Sequence, residues 1–296
     1  MGKRHQVSIV AIFRNEHQYL SEWLDYHIKV GVGHFYLYDN GGDHWDLIAP
    51  VQEYVTYHKW TDDIAAEFTK DHPKLSRQTG AYTHCLERYG AETEWLQLVD
   101  LDEFLVPLND NVISKALPET DAAILRVPRI NFGNSGHWRK PKIGSIAHYF
   151  RRERNPSHHK DMGHPDACTA IKGPHTFITE GRVEEAVNLR IDHHYTRSLD
   201  DWLIRAKVGG GQKGKGFRVF IGKRPWLAYL TYFFLNLSST LVALATALAN
   251  FAMAQFHAPI WLFTVTNLTL LAVFIWAIRR GQNEIKDTRL QDLYGS

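Results

Sequence analysis

The chain has 296 residues, and its 34 lysine and arginine residues almost balance its 32 aspartate and glutamate residues, which gives a formal net charge of +2. Aspartate, glutamate, lysine and arginine are all absent between residues 225 and 278. A charged region joined to a long uncharged one argues against a purely soluble globular protein, and also against a transporter built of membrane spans throughout. The near-neutral total gives no reason to expect nucleic acid as a partner.

This composition divides the chain into four segments. Residues 1–208 are long enough to bury the core of one α/β domain. Residues 209–224 form a basic, glycine-rich linker, residues 225–279 form an apolar segment, and residues 280–296 form a polar tail. We therefore expect one folded domain, followed by a membrane anchor and a short cytoplasmic tail.

The first part of the chain predicts a parallel β-sheet. Residues 7–13 are apolar and rich in β-branched side chains, and residues 34–38 are also apolar, as in buried strands. Between them, apolar side chains recur at helical spacing from residue 19 to residue 30. A strand, a helix and a strand in this order form a βαβ unit with a right-handed crossover. A further helix at residues 74–89 and a strand at residues 95–99 extend the pattern.

Three of the predicted strand ends carry polar clusters. In open parallel sheets, ligands bind beyond the carboxyl ends of the strands, so these clusters indicate a binding site at one edge of the sheet. The alternative is a set of ordinary turns, because Asp and Asn favour turns. The clusters are Arg14, Asn15 and Glu16, then Asp39 and Asn40, and finally Asp100, Asp102 and Glu103.

The last cluster has the residue types and the spacing of a metal site. Asp100 and Asp102 are two residues apart at a strand end, so their side chains point to the same side. Carboxylate oxygens suit Mg²⁺ and Mn²⁺, which often bridge to phosphates, and the pair therefore predicts a clamp for a metal and a diphosphate. A solvated turn is the alternative. His193 is a candidate third ligand because a neutral imidazole binds such metals, although it is one of 17 histidines.

The apolar segment predicts a transmembrane hairpin. Residues 226–254 and 260–278 are two apolar stretches, and about 20 residues of helix cross the ~30 Å hydrocarbon core of a bilayer. The basic linker, and Arg279 and Arg280 after the hairpin, predict that both ends lie on the cytoplasmic side of the inner membrane. The linker would also attract anionic membrane lipids. A buried or shallow hairpin is the alternative, and packing of its polar side chains against a second copy would give a homo-oligomer.

Five blocks of the sequence together resemble glycosyltransferase family 92. The Asp-x-Asp pair is followed by Glu and Phe, as in that family's signature, and the likeness covers roughly residues 7–210. One departure is the pair His193 and His194, where family members often carry a single His between Asn and Tyr. The blocks are FRNEHQYLSEWLDYH (13–27), GVGHFYLYDN (31–40), EWLQLVDLDEFL (94–105), NFGNSGH (131–137) and IDHHYTRS (191–198).

This resemblance implies a GT-A fold, which is a Rossmann-like α/β domain with a mostly parallel central sheet. It also implies an inverting transfer of a sugar from a nucleotide sugar such as UDP-galactose, with Mn²⁺ or Mg²⁺ as the cofactor. By the same resemblance, Asp100, Asp102 and His193 would hold the metal and the diphosphate, and Asp39 would face the base or the ribose. The residues expected around the nucleotide are Arg14, Asn15, Glu16, Asp39 and Asn40.

An inverting transfer also needs a carboxylate that takes the proton of the acceptor hydroxyl. Asp161, Asp166 and Glu180 all follow the Asp-x-Asp strand. We favour Asp166, because the neighbouring Pro165 would stiffen its loop. Lys172 is a candidate charge partner for the oxygens of the diphosphate.

A catalytic domain held against the cytoplasmic face of a membrane predicts a lipid-linked or growing polysaccharide, or another glycan, as the acceptor. The sequence leaves two alternatives open. A haloacid-dehalogenase-like phosphohydrolase also uses Asp-x-Asp and Mg²⁺, but its motif usually continues to Thr, whereas Glu103 and Phe104 follow here. The other alternative is a non-catalytic, membrane-anchored glycan-binding scaffold, against which the presence of both Asp100 and Asp102 argues.

Overall fold

The structure is a computed structural model, and it describes residues 2–14, 17–141, 146–156, 158–208, 246–251, 253, 262, 264–269, 271–272 and 284–295. The strands are β1 (His5–Phe13), β2 (His34–Asp39), β3 (Val55–Lys59), β4 (Thr93–Leu98), β5 (Glu103–Pro107), β6 (Ile124–Asn131), β7 (Arg151–Glu153), β8 (His158–Gly163), β9 (Ala170–Gly173), β10 (Thr176–Ile178), β11 (Val183–Glu185), β12 (Leu189–His193) and β13 (Glu284–Lys286). The helices are α1 (His17–Lys29), α2 (Trp45–Ile48), α3 (Asp62–Phe68), α4 (Arg77–Tyr89), α5 (Ile113–Ala116), α6 (Leu199–Val208) and a C-terminal helix (Arg289–Gly295), with 3-10 turns at Ala49–Tyr54, Gly90–Glu92, Ile146–His148 and Pro165–Ala167.

The first four strands form the parallel half of the central sheet. β1 lies between β2 and β4, and β3 pairs with the other side of β2, all in parallel. α1 connects β1 to β2, and its side chains Leu20, Trp23 and Leu24 are fully buried in the main core. Gly31 follows α1 with a φ of 93°, in the left-handed region that favours glycine at helix ends. The predicted βαβ unit is therefore present.

The other half of the sheet has mixed strand directions. β8 runs antiparallel to both β4 and β6, whereas β12 runs parallel to β6 and antiparallel to β5. In the described part of the chain, the strand order is β3-β2-β1-β4-β8-β6-β12-β5, with β11 parallel beside β6. The predicted α/β class is confirmed, and the central sheet, which the resemblance implies to be mostly parallel, contains both parallel and antiparallel pairs.

Several strands begin or end at one edge of this sheet, and this edge carries the predicted site residues. The carboxyl ends of β1, β2 and β4 lie there because these strands are parallel. β6 and β12 also end there, because β8 reverses direction between β4 and β6. His193 lies opposite Asn131 on one side and Glu103 on the other, so β5 begins at the same edge. We call this the site edge, and we call the opposite edge, where β8 ends, the far edge.

Both faces of the sheet are covered. Every residue of β2, β5 and β12 is buried. Burial on both faces explains the apolar runs in β2 and β5, whereas β12 alternates and buries the charged Arg190 and Asp192. Phe35 and Leu37 belong to the core on one face, whereas Tyr36 and Tyr38 belong to the core on the other. Full burial of one such side chain contributes roughly 1.5–3 kcal/mol, so the sheet is a stable platform for its edge.

The residues that follow the apolar segment return to this domain. β13 pairs antiparallel with β7. Leu290 and Leu293 of the C-terminal helix are buried in the main core, each only 2% exposed. Arg289 donates a hydrogen bond from Nε to the carbonyl of Pro107 at 3.0 Å. Residues 284–295, which composition alone places in a separate tail, are thus part of the folded domain.

The predicted transmembrane hairpin lies mostly outside the described residues, and the linker at 209–224 lies wholly outside them. Its described pieces include two helical segments, 246–251 and 264–269. The side-chain amides of Asn250 and Asn267 join these segments through two reciprocal hydrogen bonds of 2.7 and 2.8 Å. Among the residues that the structure describes, no helix is long and apolar enough to span a bilayer. The hairpin and its orientation stay predictions.

Candidate active site

Backbone hydrogen bonds tie the ends of β1, β2 and β4 together at the site edge. The N–H of Asn40 donates to the carbonyl of Phe13 at 2.9 Å, and the N–H of Val99 donates to the carbonyl of Val10 at 3.3 Å. Arg14 directly follows β1 and is exposed, whereas the predicted nucleotide contacts Asn15 and Glu16 lie outside the described residues. As far as they are described, the three predicted polar clusters meet at one edge.

Asp39, at the end of β2, holds the loop that follows it. Its Oδ1 accepts hydrogen bonds from the N–H groups of Gly41 and Gly42 at 2.9 and 3.1 Å. Its Oδ2 accepts from the hydroxyl of Tyr57 at 2.8 Å and from Nδ1 of His44 at 2.6 Å. Burial alone would raise the pKa of Asp39, but the hydrogen bonds that it accepts lower it. This fully buried carboxylate stabilises the loop, and its expected role toward the base or the ribose stays a prediction.

Asn40 connects the same loop to helix α4. Its Nδ2 donates to the carbonyl of Trp60 at 2.6 Å, and its Oδ1 accepts from Nη1 of Arg77 at 3.1 Å. Arg77 is the first residue of α4 and also pairs with Asp62 at 2.6 Å. These contacts fix the start of the helix, so that the next residue, Gln78, reaches the Asp-x-Asp turn.

Asp100 is bound by side chains from two other elements. Its Oδ1 accepts from Nε2 of Gln78 at 2.7 Å and from the hydroxyl of Tyr82 at 3.4 Å. Its Oδ2 accepts from Nζ of Lys160 at 2.9 Å. The Asp100 side chain is 32% exposed. One carboxylate of the predicted metal pair is therefore already neutralised by a cation of the protein.

Lys160 belongs to a buried ion network with Glu103 and Arg129. Its Nζ lies 2.5 Å from Oε2 of Glu103, and Nη1 of Arg129 lies 3.1 Å from Oε1 of the same carboxylate. The side chains of Lys160 and Glu103 are both fully buried. Burial alone would lower the pKa of Lys160, but the carboxylates of Asp100 and Glu103 outweigh that effect and raise it. Lys160 thus places an ammonium group beneath the Asp-x-Asp turn, in contact with both carboxylates.

Asp102 contacts His193, the predicted third ligand. Nε2 of His193 lies 3.3 Å from Oδ2 of Asp102, and the two side chains are 10% and 12% exposed. On the other side of the ring, Nδ1 lies 2.8 Å from Oδ1 of Asn131. The amide of Asn131 is oriented by its Nδ2, which donates to Oε2 of Glu153 at 3.1 Å. Because the amide oxygen can only accept, Nδ1 of His193 is the donor and its Nε2 faces the carboxylate.

The second imidazole of the doublet, His194, faces away from this pair. It is buried among the aromatic rings of Phe104, Phe132 and Tyr149, and burial lowers its pKa well below the usual range. Its backbone N–H donates to the carbonyl of Asp102 at 2.8 Å. Side chains on successive residues of a strand point to opposite faces. Of the two histidines, the structure therefore brings His193 to the Asp-x-Asp turn.

The structure does not bring Asp166, the favoured base, to the site edge. Asp166 lies in the turn after β8, at the far edge, where its 71% exposed side chain pairs with Lys3 at 2.7 Å. Asp161 lies within β8 and is buried, and its Oδ2 accepts the N–H of Phe177 at 3.0 Å. Lys172, the candidate diphosphate partner, is exposed on β9. The roles expected for Asp166 and Lys172 stay predictions.

The pair of Asp102 and His193 has the donor chemistry of part of a divalent metal site. A carboxylate oxygen and an imidazole nitrogen suit Mn²⁺ or Mg²⁺, and the hydrogen bond from Nδ1 to Asn131 is the usual way to orient a ligating histidine. Within the described ranges, however, no group of three or more His, Cys, Asp or Glu side chains is arranged to hold a metal ion. The full three-ligand site with Asp100 stays a prediction.

Several residues around this site are not identified by the sequence analysis. Lys160, Arg129 and Gln78 reach the acidic turn from elements that are distant in the chain. Glu103 and Asn131 stand inside the quoted sequence blocks, so the resemblance contains a signal for them. Lys160 has no such signal, because it lies outside the five blocks, in the polar run at residues 158–161.

Comparison with known proteins is consistent with these blocks. The sequence model of a family described as Glycosyltransferase family 92 matches residues 3–181. A glycosyltransferase family 92 protein of Oryza sativa subsp. japonica is 30% identical over 255 residues, which cover 75% of this chain and 41% of that protein. A family 92 protein of Ricinus communis is 28% identical over 188 residues, covering 59% of this chain and 32% of that protein. This chain thus spans less than half the length of these curated relatives.

Two further similarities are more distant. A galactan beta-1,4-galactosyltransferase of Arabidopsis thaliana is 28% identical over 100 residues, which cover 33% of this chain and 20% of that protein. Among solved structures, a mannosyltransferase from Pyrobaculum calidifontis in complex with GDP-Man and Mn²⁺ has a TM-score of 0.40 and 12% sequence identity, over 93% of this chain and 87% of that chain.

The family match covers the βαβ unit, the Asp-x-Asp turn and the strand that carries Lys160. It therefore includes most of the described site edge, and it removes the haloacid-dehalogenase-like alternative. The resemblance seen in the five sequence blocks is confirmed, and the chain belongs to glycosyltransferase family 92.

Proposed function

We propose that this chain is an inverting, divalent-metal-dependent glycosyltransferase. It transfers a sugar from a nucleotide sugar, such as UDP-galactose, to a lipid-linked or growing polysaccharide. Family membership supports the reaction class. The structural observation that carries the proposal is the contact between Asp102 and His193 at the site edge, with the ring of His193 oriented by Asn131.

The orientation of this ring supports a cation between the two side chains. With Nδ1 donating to Asn131, a neutral His193 presents the lone pair of Nε2 to a carboxylate oxygen only 3.3 Å away. Two electron-rich atoms at this distance repel each other unless a positive charge is present between them, as a proton or as a metal ion. Asp102 and His193 would hold Mn²⁺ or Mg²⁺ there. Asp100 would join them by exchanging its contact with Lys160 for the metal.

The bound metal would supply positive charge for the departing diphosphate. The protein supplies the rest of the site. Lys160 and Arg129 keep positive charge directly behind the acidic turn, and Glu103 fixes that turn by accepting the N–H of Asp100 at 2.9 Å. Such preorganised charge needs no rearrangement during the reaction. Arg14, which is exposed at the end of β1, and Asn40 would line the nucleotide, together with Asn15 and Glu16.

We also propose that the domain works at the cytoplasmic face of the inner membrane. Residues up to 208 and residues 284–295 belong to one folded domain, so both ends of the apolar segment between them must lie on the same side of any membrane. A hairpin satisfies this requirement, because it crosses a bilayer twice. Arg279 and Arg280 favour the cytoplasmic side for these ends. A lipid-linked or growing polysaccharide would meet the site edge there.

A donor panel tests the function. The full chain, purified in lipid nanodiscs, is incubated with Mn²⁺ and single nucleotide sugars, and release of the nucleotide diphosphate is measured with and without glycan acceptors. We expect turnover with at least one UDP-sugar. Replacing Asp102→Asn should lower kcat by about 100-fold or more, because the change removes a charged ligand.

The matched control is Asp121→Asn. Asp121 is an 88% exposed carboxylate whose side chain pairs with Arg182, and it lies near the start of β6 at the far edge. This variant should keep kcat within about twofold of wild type, as expected of an exposed pair. Equal activity of the Asp102→Asn variant and wild type would rule out the proposed metal site. Absence of turnover and of binding with every nucleotide sugar would rule out the transferase.

A further inference from the structure

The C-terminal residues 284–295 complete the surroundings of His193. β13 pairs antiparallel with β7 along all three residues of each strand, and Asp287 then donates its N–H to the carbonyl of Phe150 at 2.8 Å. On its other side, β7 contacts the end of β6 through a bridge between Arg152 and Phe132. The short strand β7 is therefore held between the C-terminal segment and the site edge.

A first chain of contacts runs from β7 to His193. Glu153 ends β7, and its Oε2 accepts from Nδ2 of Asn131 at 3.1 Å. The oxygen of the same amide accepts from Nδ1 of His193 at 2.8 Å. Glu153 thus decides which end of the Asn131 amide faces the ring, and the amide decides which ring nitrogen carries the proton. Glu284 of the C-terminal segment lies opposite Glu153 in the ladder.

A second chain of contacts reaches His193 through β12. Oδ2 of Asp287 accepts from Nε of Arg152 at 2.6 Å and from Nη1 of Arg190 at 2.9 Å. Arg190 also donates to both oxygens of Asp192, at 2.5 and 2.9 Å, and Asp192 is fully buried directly before His193. Paired charge-assisted hydrogen bonds of this kind fix geometry as well as adding energy. Asp287 therefore joins β7 and β12, the two strands that hold the ring.

We propose that residues 284–295 are a positioning element of the active site, in which Asp287 and β13 hold the ring of His193 in the orientation that faces Asp102. The role of the ring in catalysis rests on the proposed function, whereas its orientation does not. Leu290 and Leu293 provide separate apolar packing, so stability and positioning can be tested apart. Because the apolar segment lies between α6 and these residues, the chain passes through that segment before its site is complete.

The first test measures the ring itself, without metal or substrate. The full chain is labelled with ¹⁵N-histidine, and long-range ¹H–¹⁵N correlation spectra report the tautomer of each ring. The signals of His193 are assigned by their loss in His193→Gln. We expect Nδ1 of His193 to carry a proton in wild type, with or without a second proton between Nε2 and Asp102. In both Asp287→Asn and Glu153→Gln, a substantial population of rings without a proton on Nδ1 should appear. A glutamine at position 153 can donate as well as accept, so it no longer fixes the orientation of the Asn131 amide. Loss of the Asp287 charge weakens the contact that holds β7, which carries Glu153.

Two controls separate positioning from stability. Asp292→Asn changes an exposed carboxylate of the C-terminal helix by the same chemistry, and it should leave the tautomer of His193 unchanged. Leu290→Ala should lower the melting temperature and also leave the tautomer unchanged. If Asp287→Asn and Glu153→Gln lower the melting temperature but keep the wild-type tautomer, the segment is merely structural and the proposal is wrong. The conservative variant Asp287→Glu should restore the wild-type spectrum in large part.

The second test measures Mn²⁺ binding by calorimetry, again without substrate. In metal sites, loss of a group that orients a ligand typically weakens metal binding about 10-fold to 100-fold, and we expect this for Asp287→Asn and Glu153→Gln. Unchanged affinity in both variants would count against the proposal.

The positioning proposal and the proposed function can fail independently of each other. A tautomer that responds to Asp287→Asn in a protein without transferase activity would keep the positioning element and reject the proposed function, whereas an active enzyme with an unresponsive tautomer would do the reverse.

Discussion

The two halves of the central sheet use their polar residues in different ways. In the parallel half, most partners of Asp39 and Asn40 lie within about twenty residues, in the loop after β2, in β3 or directly after β3. The exception is Arg77, at the start of α4. In the mixed half, Lys160 reaches Asp100 and Glu103, which lie about 60 residues earlier in the chain. The polar residues of the parallel half therefore bind mostly to nearby parts of the chain, whereas the charged site of the mixed half is formed by side chains that are distant in sequence.

The two halves also differ in what stabilises them. β2 carries mostly aromatic and aliphatic side chains, and the burial of their apolar surface stabilises the fold. The mixed half buries Lys160, Glu103, Arg190 and Asp192, and such charges cost several kcal/mol each unless their partners are in place. Natural proteins accept such costs where function needs them. We therefore expect the mixed half to respond more strongly to single changes of charge.

The largest effect should come from Lys160→Met, which removes the buried cation and keeps the length of the side chain. Glu103 would keep only Arg129 as a cation, and Asp100 would lose its own ion pair. Breaking a buried pair from one side typically costs about 3–5 kcal/mol. Urea denaturation of the full chain should show this loss in the free energy of unfolding. If added Mn²⁺ partly restores the free energy of unfolding of Lys160→Met, a metal ion can replace the ammonium group at Asp100.

Lys172→Met is the matched control, because Lys172 is an exposed lysine on the nearby strand β9. Substitutions of exposed residues usually change the free energy of unfolding by less than about 0.5 kcal/mol. If Lys160→Met is no less stable than Lys172→Met, the ion network contributes little, and the contrast between the two halves is wrong as stated.

A smaller effect should come from His27 in the parallel half. Its Nδ1 donates to the carbonyl of Trp23 at 2.8 Å, and its Nε2 accepts the N–H of Leu105 at 3.1 Å. Burial lowers the pKa of His27 to about 3, against about 6.5 in the unfolded chain. The unfolded state thus binds a proton first as the pH falls. The contribution of His27 to the free energy of unfolding is therefore fully present above about pH 6.5 and is lost as the pH falls toward 3. Between pH 7.5 and pH 5 this loss is about 2 kcal/mol.

Denaturation curves at pH 7.5 and pH 5 test this expectation. His27→Gln cannot take up the proton, so its loss of stability between the two pH values should be smaller than that of wild type by about 2 kcal/mol. The exposed His158 provides the control, because His158→Gln should lose as much stability as wild type does. An equal pH dependence in wild type and His27→Gln would show that His27 does not contribute in this way.

The sequence alone predicts the parallel half well because its information is local. The βαβ unit is read from apolar spacing within about 40 residues, and the end of α1 is marked by Gly31. Parallel strands end at one edge by necessity, so the order of the strands is enough to place the three polar clusters together. Nothing in the spacing of His193 and Asp102 requires them to meet. Their expected place in one metal site comes from the chemistry of the two side chains and from the family resemblance.

The mixed half could not be predicted in the same way. Lys160 and Arg129 reach the acidic turn only because β8 runs antiparallel between β4 and β6, and strand direction is not encoded in local periodicity. The return of β13 to β7 joins residues more than 130 positions apart, across the apolar segment. The charges of Asp287 and Arg190 carry no signal of their pairing. Composition therefore separates residues 280–296 from the domain, whereas in the structure residues 284–295 are part of it.

The smallest effect is expected for Asp166, the carboxylate favoured as the base from sequence. Because β8 is antiparallel, the residue that follows it lies at the far edge, beside Lys3 rather than beside Asp100. Its exposed ion pair should contribute less than about 1 kcal/mol to stability, and Asp166→Asn should leave kcat within about twofold. A steady-state assay with the preferred donor decides the matter, with Asp121→Asn as the control. Removal of a true base typically lowers kcat by about 100-fold or more, and such a loss would place the acceptor at the far edge and overturn the assignment of the site edge.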